Sequence, residues 1–187
     1  MSPTKLGTFE FEPKAQLKEL WKILDPRKDG CAYAYLIATA QPINYERGRS
    51  RIVYIGKGGG RDDNDYYRCE ALMGLAAVIA WLCDPEDNYC GRGPRKRDRA
   101  EIVKQFGTDS LKIQLHLLPC CDVGTDNPIL FEGALLQAFE KLHGELPKFN
   151  CRHETPADKS RDVAEQVVLA FAATPSDPNS GDAVRDV

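Results

Sequence analysis

Only three stretches of this chain carry strand patterning, and that number constrains the fold more than any other feature. They are CAYAYLIAT at 31–39, RIVYIG at 51–56 and SLKIQLHLLP at 110–119. In the third, Leu111, Ile113, Leu115 and Leu117 alternate with polar neighbours, the period of a strand with one face on a core. The first two are separated only by the polar run QPINYERGRS at 41–50, so they are predicted to pair as a long hairpin. Three strands neither close a barrel nor supply the two sheets of a sandwich. They fit a small, antiparallel-type sheet flanked by helices, an α+β (mixed α/β) layer fold.

Helical periodicity fills the intervals. Leu17, Leu20, Trp21 and Leu24 recur at i, i+3, i+4 and i+7 before Asp25-Pro26 stops the run. Residues 66–83 are apolar almost all round, which predicts an interior helix, and a short helix at 99–106 ends at Gly107. Pro128 opens a helix that runs to His143 and stops at Gly144. Thr155-Pro156-Ala157-Asp158 has the chemistry of a helix start, and Val163, Val167, Ala170 and Phe171 are expected to line one face of that helix. The organisation read from this order is a helical extension at 1–30, a core at 31–151, a helix at 152–173 packing on that core, and a disordered tail at 174–187.

Composition narrows the class. With 187 residues and 42% hydrophobic content the chain can bury one core of ordinary size. A formal net charge of −3 excludes a globally basic, histone-like protein. No Gly-X-Y period, sustained heptad or self-similar block is present, which excludes collagen, coiled-coil and solenoid architectures. The longest apolar run, 71–83, is broken by Gly74 and falls short of the ~20 residues a membrane span needs. The opening MSPTKLGTFEFEP lacks the apolar stretch of a secretory signal. None of the seven cysteines forms the Cys-x2-Cys knuckle of structural zinc sites. Reduced thiols and a cytoplasmic location away from membranes are therefore expected.

Chemistry-bearing residues gather in three places. Tyr33 and Tyr35 fall on one face of the first strand, and Tyr54 of the second shares that face in one of the two registers. VYIGKGGGR places glycines after a strand, but the spacing matches neither a P-loop nor a dinucleotide-binding loop. In the helix after Pro128, residues Ile129, Leu135, Leu136, Phe139 and Leu142 project onto one arc at 100° per residue. Glu132 falls near the middle of that arc. A carboxylate there is costly unless it is paired, protonated or bound to a metal.

Taken together, these features resemble the GIY-YIG nuclease family. Tyr54-Ile55-Gly56 is the second motif of the family read directly, and Lys57 matches the basic residue that often follows it. Cys31-Ala32-Tyr33 stands where the first motif belongs, with Tyr35 as the alternative tyrosine. FEGALLQAFEKLHGELPKFN resembles the family's final helix, with Glu132 at the position of the catalytic glutamate and Asn150 closing a Pro-x-x-Asn. Two arginines fit the catalytic position: Arg61, after the glycines, and Arg68, on the following helix. The hairpin loop and the Glu132-to-Asn150 spacing are both longer than is usual in the family.

The resemblance implies a divalent-metal-dependent DNA endonuclease that leaves a 5′-phosphate and a 3′-hydroxyl. It implies Tyr33 as general base, Tyr54 positioning the water or phosphate, Arg61 or Arg68 on the scissile phosphate, Glu132 on one Mg²⁺ or Mn²⁺, and Asn150 orienting the site. A tyrosine is a poor base at its ordinary pKa of about 10, so neighbouring positive charge from Lys57, an arginine and the cation would be needed to lower it. For holding DNA, Arg92, Arg95, Lys96, Arg97 and Arg99 stand against a single Asp98 in one loop, which suits contact with a phosphate backbone. The rival from another class is a non-catalytic nucleic-acid-binding module of the same fold. The chain is read as acting alone or as a homodimer.

Overall fold

The computed structural model describes residues 4–10, 32–58, 112–125, 127–150 and 160–172. They form a mixed α+β fold in the order β1 (Thr4–Glu10), β2 (Tyr33–Asn44), β3 (Arg49–Gly58), β4 (Lys112–Pro119), a 3-10 turn (Cys120–Val123), α1 (Pro128–His143) and α2 (Arg161–Phe171). The strands make one sheet in the order β1-β4-β2-β3, with every neighbouring pair antiparallel. The expected helices at 17–24, 66–83 and 99–106, and the expected tail, lie outside the described residues.

The sheet has four strands rather than three. The N-terminal segment read as part of a helical extension instead supplies β1 at the sheet's edge. Its pairing with β4 shifts register between Lys5 and Gly7, which leaves Leu6 as an extra residue. That bulge breaks the two-residue alternation by which a strand is recognised.

The β2–β3 hairpin reaches further than its polar loop suggested. Both strands extend into 41–50, and the turn is confined to Tyr45–Gly48, where the Tyr45 amide donates to the Gly48 carbonyl at 3.0 Å. Gly48 takes φ of 74°, a conformation that other residues seldom adopt. Ile37 faces Tyr54 while Ala38 faces Ile52, so Val53 is inserted as a bulge. Further out the strands part between Ala38 and Ile43. There the Thr39 hydroxyl lies 2.7 Å from the Gln41 carbonyl and 3.1 Å from that of Arg51, bridging the gap.

Helix α1 starts and stops where the sequence predicts. Asn127 caps it, its Oδ1 accepting from the amides of Ile129 (3.0 Å) and Leu130 (3.4 Å), with Pro128 at the first helical position. Gly144 ends it in the left-handed conformation, donating to the Glu140 carbonyl at 2.8 Å. In α2 the buried stripe is Ala164, Val167, Val168 and Phe171, whereas Ala170, expected on that face, is exposed. One core joins Leu36, Ile55 and Leu117 of the sheet to Phe131, Leu135 and Phe139 of α1 and Phe171 of α2. Cys120 is buried and Cys121 exposed. No helix among the described residues is long and apolar enough to cross a membrane.

Two sets of contacts hold the hairpin against α1. At its tip, the Arg47 amide donates to the His143 carbonyl (2.9 Å), and the Glu46 amide donates to Glu145 Oε1 (3.0 Å), which also accepts from Lys148 Nζ (2.6 Å). Tyr45 packs edge-on to Phe139 with ring centroids 4.9 Å apart. Along its outer edge, the Phe149 amide donates to the Val53 carbonyl at 3.1 Å. The segment after α1 therefore covers part of the β3 edge.

Candidate active site

The tyrosines and glycines of the two central strands are matched across the ladder. Tyr33 faces Gly58 and Tyr35 faces Gly56. Each ring lies over the glycine opposite: a Cβ added to Gly56 would run into the Tyr35 ring, and one added to Gly58 would sit 2.7 Å from the Tyr33 hydroxyl oxygen. The glycine of the Tyr-Ile-Gly motif is thus required by the aromatic ring on the neighbouring strand.

This register gives Tyr35 and Tyr33 different surroundings. Tyr35 lies beside Tyr54, with ring centroids 5.9 Å apart and planes inclined at 41°. Burial holds the Tyr35 phenol well above the ordinary tyrosine pKa, and Tyr54, by charge and by hydrogen bonding, then the charges of Glu132 and Tyr33, push it the same way. Tyr35 is therefore a neutral hydrogen-bonding phenol in this arrangement. Tyr33 is also buried, two residue pairs nearer the end of the ladder.

Glu132, one turn into α1, is 6% exposed, as its place in the apolar arc required. What accommodates it is Lys57, whose Nζ lies 2.9 Å from Glu132 Oε2 with both side chains largely withdrawn from water. The pair joins the strand carrying Tyr54 to the helix carrying the acid. Among the described residues no three His, Cys, Asp or Glu side chains converge. A hard cation at Glu132 would find one carboxylate among the described residues, and water and phosphate oxygens are further donors that Mg²⁺ and Mn²⁺ accept.

Asn150 binds the backbone in the middle of the Tyr-Ile-Gly motif. Its Oδ1 accepts from the Ile55 amide at 2.9 Å, and its Nδ2 donates to the Ile55 carbonyl at 2.8 Å. The side chain thereby fixes the stretch of β3 that presents Tyr54 and Lys57.

The structure brings together Tyr33, Tyr35, Tyr54, Lys57, Glu132 and Asn150 at one end of the β2–β3 hairpin. Arg61, Arg68, Arg92, Arg95, Lys96, Arg97 and Arg99 lie outside the described residues. The sequence offered a signal for Tyr35 that a motif match alone passes over. Tyr-x-Tyr on one strand and Gly-x-Gly on the next are complementary when Tyr35 faces Gly56.

No family model matches this chain, and no curated protein or solved structure matches it significantly.

Proposed function

We propose that the protein is a divalent-metal-dependent DNA endonuclease resembling the GIY-YIG nucleases, hydrolysing phosphodiester bonds at the end of the β2–β3 hairpin away from its turn. The observation that supports this most is the buried Lys57–Glu132 pair beside the Tyr35–Tyr54 pair, with Asn150 fixing the backbone between them. Phosphodiester hydrolysis needs an activated water, a positive charge at the phosphate, and stabilisation of the departing 3′ oxygen. Tyr33 or Tyr35 would handle the water's proton, Tyr54 would position the water or phosphate, and Lys57 with Arg61 or Arg68 would neutralise the phosphate. Glu132 would hold Mg²⁺ or Mn²⁺, which when bound supplies Lewis acidity at the phosphoryl oxygens. The basic residues at 92–99 would follow the DNA backbone.

The test is cleavage of supercoiled plasmid and of branched duplexes by purified protein with Mg²⁺ or Mn²⁺, with EDTA as control and end analysis of the products. Metal-dependent nicking that leaves ligatable 5′-phosphates supports the reading. Cleavage undiminished by EDTA defeats it.

A second reading is a non-catalytic nucleic-acid-binding module. It is favoured by one observation: Glu132 already has a cation beside it in Lys57, so its burial is explained without a metal. DNA binding with no metal-dependent cleavage on any of these substrates would select this reading.

A further inference from the structure

We infer that Lys57 is an exchangeable counter-ion for Glu132, so that an anionic phosphodiester and a divalent cation bind this site cooperatively. The inference rests on the proposed function and assigns that site its order of assembly. Lys57 Nζ holds Glu132 Oε2 at 2.9 Å, and the side chains are only 11% and 8% exposed. A cation approaching Oε2 meets a like charge already in contact with its ligand, in surroundings where water screens little. A cation and an ammonium group therefore compete for the same oxygen.

A phosphodiester relieves that competition, because it offers Lys57 a second anion. Lys57 is the residue suited to such a swap. Its ammonium is a point charge on a flexible four-carbon stem with three donors, able to turn from one oxygen to another without the fixed geometry of a guanidinium. Its neighbours on β3 stay in place when it turns. Ile55 is held by both atoms of the Asn150 amide, and Gly56 lies under the Tyr35 ring. The moving part is the side chain alone. The Lys57–Glu132 pair is neutral before the exchange. With both ligands bound, the phosphodiester's single negative charge balances Lys57 and Glu132 balances half of the divalent cation's charge, so the site carries one net positive charge, where the cation without the phosphate would leave two. Each ligand thus removes an obstacle to the other, which is a coupling free energy and is reciprocal.

The test is Mn²⁺ binding by electron paramagnetic resonance, on the full chain, without DNA and then with a mixed-sequence duplex at early times before turnover. Wild type is compared with Lys57→Met, Lys57→Gln, Lys57→Arg and Glu132→Gln, each checked for folding by circular dichroism. Without DNA, Lys57→Met or Lys57→Gln should bind Mn²⁺ about tenfold tighter than wild type, within the range typical of coupled sites. Lys57→Arg should stay weak. Adding duplex should tighten Mn²⁺ binding in wild type and do so much less in the neutral variants. The exchange is overturned if Mn²⁺ binding depends on Glu132 but the neutral variants match wild type both without DNA and in their gain on adding it. If Glu132→Gln binds Mn²⁺ as wild type does in every arm, the metal site itself fails and the exchange with it. Lys57→Gln keeps a hydrogen-bonding side chain beside Glu132, so the comparison survives if Lys57→Met does not fold.

Discussion

The side chain of Asn150 pairs with Ile55 as another strand's backbone would, accepting from its amide at 2.9 Å and donating to its carbonyl at 2.8 Å. Asparagine can do both because its amide carries an acceptor and two donors. Asn150→Asp keeps the shape and loses the donor, setting a carboxylate against a carbonyl. The expected cost is about 1–3 kcal/mol of stability, with faster amide exchange at Ile55. Urea denaturation and hydrogen exchange check this. Exchange at Ile55 equal to wild type would show that the edge is held by other contacts.

Gly56 tests the register at the site. Because the Tyr35 ring occupies the space where a Cβ would sit, Gly56→Ala forces the ring or the strand to shift. Overpacking of this kind costs roughly 1–3 kcal/mol. Gly48→Ala strains a turn instead, with nothing within 4 Å to collide with, and serves as the comparison. A Gly56→Ala protein as stable as wild type, with near-ultraviolet dichroism of its tyrosines unchanged, would contradict the Tyr35–Gly56 pairing.

The tyrosines divide by their neighbours. Burial, Tyr54 and Glu132 keep Tyr35 protonated, so if it is the base of the proposed function, positive charge at the bound phosphate must first draw off its proton. Tyr35→Phe is then expected to lose about 10²–10⁴-fold in cleavage, the usual range for a lost proton-transfer group. Tyr33→Phe should lose less. A phenol held above its ordinary pKa deprotonates late, so wild-type rate should climb across the neutral range without an early plateau, and Tyr35→Phe should flatten that climb. If Tyr33→Phe flattens the pH–rate profile and Tyr35→Phe does not, the base is Tyr33.

Glu132→Gln preserves an oxygen for Lys57 and removes the negative charge. On the proposed function, cleavage with Mg²⁺ should fall by at least ~10²-fold while DNA binding persists, since the change removes the carboxylate that would hold the metal. Stability should fall as well, because Lys57 loses its buried counter-ion. Gel shifts and a nicking assay on the same preparation check both halves. Cutting at the wild-type rate would end the assignment of Glu132 to the metal.

His143, at the end of α1, makes stability depend on pH. Its Nδ1 lies 3.0 Å from the Arg47 carbonyl, which makes that nitrogen the N–H donor, while the buried Nε2 has no hydrogen-bond partner among the described residues. Burial holds its pKa below the ordinary histidine value; the Arg47 charge lowers it further, and the hydrogen bond to the Arg47 carbonyl and the Glu145 charge oppose the shift. The unfolded chain therefore binds a proton more readily than the folded one. Stability is undiminished above about pH 6.5 and falls as pH drops from there through the folded-state value. Urea midpoints from pH 7.5 to 5 should decline in wild type and decline less in His143→Phe, which keeps the ring between Tyr45 and Phe139. Parallel curves would remove His143 as the cause.

The strands at the centre of the sheet and the whole of α1 could be read from the chain, because local rules determine them. Alternation marks 112–119, Pro128 and Gly144 bracket a helix, and angular projection alone places Glu132 inside. What could not be read depends on register or on distance along the chain. Tyr33 and Tyr35 share a face, so alternation cannot say which of them lies over Gly56 and which over Gly58; only the register does. Lys57 and Glu132 are 75 residues apart, and nothing local in either segment names the other. Ala170 looked core-facing because it completes an apolar list, yet the helix turns Val168 inward in its place.

The sheet order also has a consequence for how the molecule is made. Strand β4 lies between β1 and β2, so the first strand to be synthesised has no neighbour until residues 112–119 exist. The hairpin forms early from local contacts, but its outer edge is closed by Phe149 and Asn150, about 95 residues later. Contacts that span so much chain form slowly, and an unclosed edge is an invitation to pair with another molecule. A product truncated before α1 would carry the tyrosines of the candidate site on a sheet whose β3 edge is uncovered, without Glu132. The residues from α1 onward therefore both complete the candidate site and cover the outer edge of the hairpin.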